Sequence, residues 1–271
     1  MDHLQWCRDR LLVPGNPLAA SLLFIAPEAR DQVLAVRTVV SELAGLAQSA
    51  TDESVTSAKL GWWRQALLGD SAHPALIALE HSGAARNVPR EAFSPLLDTI
   101  GRDLARPRFE QFEQLQAHCS GLGGEAARLE ALLDCPDGAT AEAARKVGAA
   151  GYLLRVVRDL GLDARAERWL VPLDLQAQFQ VGRSDAAEGK GSPGWDGLVR
   201  TLVERALRAG TPSAEELGSR HQHLRICWAL DRRLAGLLAR RPGQVLQRRL
   251  LPSHFGNVWT AWRAARKSAK D

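Results

Sequence analysis

Asp159 and Asp163 lie four residues apart in the run RVVRDLGLDARAERWLVP. On a helix that spacing puts both carboxylates on one face, where they can hold divalent metal ions. Two like charges so placed cost an isolated helix roughly 0.2–0.5 kcal/mol, so groups of opposite sign should accompany them. Arg155, one turn before Asp159, and Arg158 supply that charge. The spacing suits a metal site and a surface salt-bridge ladder alike, and residue types alone do not separate the two. Cys7, Cys119, Cys135 and Cys227 are scattered without CxxC spacing, which argues for reduced thiols over a zinc site or a disulfide framework.

The elements that must position these groups are helices. Apolar residues recur at intervals of three and four along the chain, and no stretch alternates in the manner of a strand, so the class is all-α. A first strong helix is expected after Pro27, through Val33, Val36, Val39, Val40, Leu43 and Leu46, with an apolar stripe wide enough for an interior position. A second helix in TDESVTSAKLGWWRQALLG should be capped by Asp52 or Ser54, turn Trp62, Trp63, Ala66 and Leu67 inward, and end at Gly69. HPALIALEH and EAFSPLLDTIGRDL read as shorter helices. FEQFEQLQAHCSGLGGEAARLEALL reads as a long one, broken or narrowed at Gly121, Gly123 and Gly124, where close approach of a neighbouring helix or a ligand would offset the cost of glycine. The pair Asp159/Asp163 falls on the second strong helix, TAEAARKVGAAGYLLRVVRDLGLDA. Residues 182–194, GRSDAAEGKGSPG, read as a flexible surface loop inside a single domain spanning 1–271. Three helices should follow, around Leu198 to Ala209, from Ser213 towards Leu238, and from Val245 to Arg266.

At 271 residues, with 45% hydrophobic and 24% charged side chains, the chain can bury a substantial core and has no apolar run of about 20 residues to cross a bilayer. The opening MDHLQWCRDRLL carries charges where a signal peptide needs an apolar stretch, so a cytoplasmic location is expected. A net charge of +4 is compatible with an anionic partner: a diphosphate, an acidic protein or a membrane surface. Trp259, Trp262, Arg263, Arg266, Lys267 and Lys270 mix aromatic and basic residues as a peripheral membrane contact would, although a solvated helix end has the same composition. No stacking motif, zinc finger or helix-turn-helix points to nucleic acid.

The run GAAGYLLRVVRDLGLDARAERWLVP resembles the squalene/phytoene synthase motif, in which a small-residue stretch precedes RDxxxDxxxxRxYLP; Arg158, Asp159, Gly161, Asp163, Arg165, Arg168, Leu170 and Pro172 stand in matching places. Tyr152 and Arg155 replace the family's usual Gln and Asn. Further resemblances follow in order: PEARDQVLAVR, with Pro27, Arg30 and Arg37, to the segment that opens the family's first catalytic helix; KLGWWRQAL to KLxWWRxEL; His73 and Pro74 to an HPV turn; and RFEQFEQLQAHCSGLGG to RYxTFEELxxYCxxVAG. The resemblance is clear from about Ala20 to Pro172 and beyond that rests on helical character.

It implies an isoprenoid-synthase fold, packed helices around a central cavity, in which two Asp-rich helices face each other and hold the magnesium ions that grip a prenyl diphosphate. Here the first Asp-rich motif falls on Val40, Ser41, Glu42, Leu43 and Ala44, and its aspartates are gone. Glu42 lies about 100° around the helix from Ser41, away from the pair it would need to face. RTVVSELA, Arg37 to Ala44, resembles instead the RAFNVELA of a divergent branch that includes a mitochondrial assembly factor for respiratory complex I. The resemblance thus implies a binding or assembly protein for an isoprenoid or a partner, without ordinary prenyl transfer. The alternative is an active isoprenyl-diphosphate transferase with a reduced site, in which Asp159 and Asp163 hold one magnesium ion and Arg37, Arg155 and Arg158 bind the diphosphate. His118 and Tyr152 would sit near the cavity and are read as core residues, so no residue is singled out as acid or base.

Overall fold

The computed structural model describes residues 2–13, 16–48 and 53–268, and among them every regular element is helical. Chain order is α1 (His3–Leu11), α2 (Pro17–Leu22), α3 (Pro27–Gln48), α4 (Glu53–Leu68), α5 (Pro74–His81), α6 (Ser94–Asp103), α7 (Phe112–Cys119), α8 (Glu125–Asp134), α9 (Ala141–Arg165), α10 (Leu173–Phe179), α11 (Arg183–Glu188), α12 (Pro193–Glu216), α13 (Gln222–Arg240) and α14 (His254–Ser268). No helix among the described residues is long and apolar enough to cross a membrane.

Local rules account for several of the boundaries. Prolines open α2, α3, α5 and α12, where the missing N–H is one of those a helix start leaves unpaired anyway. His73 caps α5: its Nδ1 accepts from the Ala75 N–H at 3.2 Å, which explains the His-Pro turn. Between α7 and α8, Ser120–Gly124 forms one turn of π-helix, at the cluster of glycines expected to break the long helix. A π turn opens the backbone locally and lets a neighbour in close. Here the neighbour is α9: a Cβ on Gly148 would lie 2.1 Å from the Gly123 carbonyl oxygen, and one on Gly123 2.5 Å from that of Gly148. The two backbones touch.

Two apolar clusters make the core. One is built on α3 with α1, α4, α5 and α6 around it, and the other on α9 with α12 and α13. Tyr152 packs against both.

Some expectations need correction. Trp63 is 5% exposed but Trp62 is 47% exposed, because consecutive helical residues diverge by about 100° and only one of the pair can face the core. The segment 182–194 is not an irregular loop: it contains α11, whose Ala186 is fully buried, and the start of α12. The helix expected to stop at Ala209 runs on through Pro212 to Glu216, since its buried stripe of Leu198, Leu202, Val203, Ala206, Gly210 and Ala214 is continuous across the proline. Val245 lies in a 3-10 turn, and the last helix begins only at His254. The cap proposed at Asp52 lies outside the described residues.

Candidate functional site

A cavity of about 480 Å³ lies between α2, α3, α6, α8, α9, α13 and the start of α14. Most of its wall is hydrocarbon, from Leu18, Val40, Ala44, Leu96, Ile100, Leu122, Ala126, Val147, Leu224, Leu230, Leu234 and Leu251. Its polar lining is dominated by Arg37, Arg155, Arg158, Arg168, Asp103 and Asp231. Such a shape suits a long apolar ligand with one polar end.

Each of the four lining arginines is held by a carboxylate. Arg37 Nε donates to Glu130 Oε2 at 2.6 Å. Arg155 Nη1 donates to Asp231 Oδ1 at 3.2 Å. Arg158 grips Asp159 through both Nε and Nη2, at 3.0 and 2.6 Å. Arg168 Nη2 donates to Asp103 Oδ2 at 3.1 Å and lies 3.4 Å from the Tyr152 hydroxyl. The Arg155–Asp231 pair depends on Gly151, where a Cβ would stand 2.1 Å from Asp231 Oδ2. Burial raises the Asp231 carboxyl above the usual carboxylate range despite Arg155.

Behind Arg37 lies a second buried network. Ser21 Oγ donates to the Leu18 carbonyl at 2.8 Å and sits 2.8 Å from His223 Nε2, while His223 Nδ1 is 2.5 Å from Glu130 Oε1. A ring protonated on both nitrogens satisfies both contacts at once, Nδ1 donating to the Glu130 carboxylate and Nε2 to Ser21 Oγ. The pKa directions agree. Burial works against the charged ring, but the neighbouring Cys227 sulfur and then the Glu130 carboxylate overcome it, and His223 is pushed up to about 10. Burial likewise disfavours the Glu130 anion, yet Arg37 and His223 hold it down at about 2.

The structure brings Arg37, Arg155 and Arg158 to one cavity. Asp159 and Asp163 are not among the lining residues. Besides Arg158, Asp159 receives the Arg249 Nε at 2.7 Å. Burial would raise its carboxyl, but Arg158 and Arg249 outweigh that and keep it below the usual range. Asp163 pairs with Arg168 at 3.9 Å; burial, with the nearby Asp159 charge adding to it, raises this carboxyl to about 6.

These donors do not fit a magnesium cluster. Both Asp159 oxygens are taken by guanidinium groups. Across the cavity, Val40 and Ala44 offer no ligand atom and Ser41 only a hydroxyl. Glu42 is turned aside to Arg10 and lies 3.9 Å from His73 Nε2. Among the described residues no three His, Cys, Asp or Glu side chains form a group able to hold a metal ion.

Asp103, Glu130, His223, Asp231 and Arg249 went unnoticed in the sequence. Each lies on a helix or turn whose periodicity shows an inward face but names no partner, and Glu130 meets Arg37 across 93 residues.

Among proteins of known kind, the chain is 26% identical over 190 residues to phytoene synthase of Arthrospira platensis, covering 64% of this chain and 62% of that one. It is 25% identical over 196 residues to the chloroplastic phytoene synthase 1 of Arabidopsis thaliana, covering 68% and 46%. The chain thus spans about half to three-fifths of the length of these relatives. Its fold superposes on a dehydrosqualene synthase crystallised with ligand at a TM-score of 0.84 and 17% identity, over 99% of this chain and 97% of the other. The squalene/phytoene synthase family model matches residues 15–255, and with that match, on this helical fold and around this cavity, the chain belongs to the squalene/phytoene synthase family.

Proposed function

We propose that this protein binds an isoprenoid in its central cavity and serves as a binding or assembly protein, without metal-dependent ionisation of a prenyl diphosphate. One observation carries the reading: every arginine lining the cavity is already paired with a carboxylate of the protein itself. A diphosphate carries several negative charges. To bind it, these arginines would have to leave buried partners, and stranding a buried carboxylate costs about 3–5 kcal/mol. A neutral polar end, such as an alcohol or a carbonyl, can accept a hydrogen bond from the same guanidinium groups without breaking any pair. The hydrocarbon at positions 40 and 44 supports the same conclusion. The likeness of RTVVSELA to the complex I assembly-factor branch supports an assembly role for the loaded protein.

Calorimetric titration of the purified protein with farnesol and with farnesyl diphosphate, each with and without magnesium, tests this. The expected result is farnesol binding that magnesium does not alter, and no diphosphate release from farnesyl diphosphate. Magnesium-dependent binding of farnesyl diphosphate with diphosphate release would overturn it in favour of an isoprenyl-diphosphate transferase with a reduced site. That second reading draws on Asp163, which keeps the helical spacing to Asp159 and whose ion pair with Arg168 is long, at 3.9 Å.

A further inference from the structure

Helix α14 is built inside out. Its inward residues are small: Asn257, Ala261 and Ala265 are buried where the helix packs on α2 and α13. Its large residues face solvent. Phe255 is 80% exposed and Trp259 51%, and Leu251, just before the helix, is 58% exposed. Trp259 and Trp262 stack with ring centroids 4.8 Å apart, and the Arg266 guanidinium lies 4.9 Å over the Trp262 ring. At 3.6 residues per turn, Phe255, Trp259, Trp262, Arg263 and Arg266 share an arc of roughly 100°. No Asp or Glu occurs from Pro242 to Ser268, while Arg248, Arg249, Arg263, Arg266 and Lys267 do.

An exposed aromatic arc on a stretch whose charged residues are all basic matches one surface in both respects. Phe and Trp enter the boundary between headgroups and acyl chains, and Arg and Lys meet the anionic headgroups. Leu251 and Pro252, just before the helix, also line the cavity, so the exposed surface adjoins the wall of the pocket. We propose that α14 docks the protein on an anionic lipid bilayer, lying in its surface, and that the cavity exchanges an apolar ligand with the membrane beside Leu251 and Pro252. The proposal stands on the geometry of α14 and does not require the ligand assignment above.

The test is co-sedimentation of the full chain with vesicles of phosphatidylcholine alone and of phosphatidylcholine with one-third phosphatidylglycerol. Binding to the anionic vesicles is expected, with at least about tenfold weaker binding to the neutral ones. The pair Phe255→Ser and Trp259→Ser should weaken binding to anionic vesicles by about tenfold or more while leaving the helical circular dichroism and melting temperature unchanged, since both side chains face solvent. Arg263→Glu with Arg266→Glu should do the same, whereas Arg200→Glu, exposed on α12, should have little effect. Should the aromatic variant lose its fold, quenching of the tryptophan fluorescence of the unmodified chain by brominated lipid reads the same contact. Wild-type protein that stays in the supernatant with anionic vesicles, or an aromatic variant that sediments like wild type, would overturn the proposal; the first result would assign the arc to a protein partner.

Discussion

Asp231 on α13 reaches Arg155 on α9 at 3.2 Å across the position of a missing side chain, that of Gly151. Any Cβ there would collide with the carboxylate. Gly151→Ala should therefore lower stability by about 1–3 kcal/mol through forced displacement of Asp231. In the double variant with Asp231→Ala the two losses should be clearly less than additive, because the clash and the pair are removed together. Urea unfolding of the four proteins checks this; additive losses would mean that Gly151 matters for another reason.

The Glu130–His223 pair gives stability a pH window. Glu130 is held at about 2 in the folded chain against 4.5 for a free carboxyl. A lowered carboxyl contributes stability that is present above about pH 4.5 and lost as pH falls towards 2. His223 is raised to about 10 from 6.5, so its contribution is complete below about pH 6.5 and is lost as pH rises through about 10. For this pair, stability should peak between about pH 4.5 and 6.5. Glu130→Gln leaves Arg37 and His223 without their anion and should cost about 3–5 kcal/mol at pH 6. Denaturation measured across pH in both proteins is the check; an unchanged alkaline limb in the variant would contradict it.

Asp163 works in the opposite direction. Its carboxyl is raised from 3.8 to about 6, so its contribution favours folding at low pH and is lost as pH rises through about 6. Asp163→Asn, which mimics the protonated form, should stabilise the protein at pH 8 by roughly 1–3 kcal/mol and change little at pH 4. Thermal melts at the two pH values decide, and a variant less stable than wild type at pH 8 would mean the carboxylate makes a contact worth more than its burial costs.

Ser41 lines the cavity yet is exposed, so it stands at an opening. Ser41→Trp should fill that opening and weaken farnesol binding by about tenfold or more, with the melting temperature within a degree or two of wild type, since surface substitutions seldom shift stability by more than about 0.5 kcal/mol. Unimpaired binding would move the ligand's entry elsewhere.

Much of this architecture is legible in the sequence where the signal is local. Pro27 followed by a wide apolar stripe yields α3, His73-Pro74 yields the cap of α5, and the arginine and aspartate run of α9 yields the family. The site was only half legible. The resemblance singles out Arg37 and Arg155, but their partners Glu130 and Asp231 lie 93 and 76 residues away, and no spacing rule spans such distances. Composition failed at 182–194 because ten polar and glycine residues, averaged, conceal the one buried alanine that anchors α11.

The contact between Gly123 and Gly148 bears on how this pocket can change over generations or in an engineer's hands. Where a wall is made of side chains, substitution can widen or shorten the space for a prenyl tail one methylene at a time. Along this line the wall is backbone against backbone, and even alanine is too large. New tail lengths must therefore be selected from the other walls, through α3, α6 and α13, while the glycine seam stays fixed as the datum against which they vary.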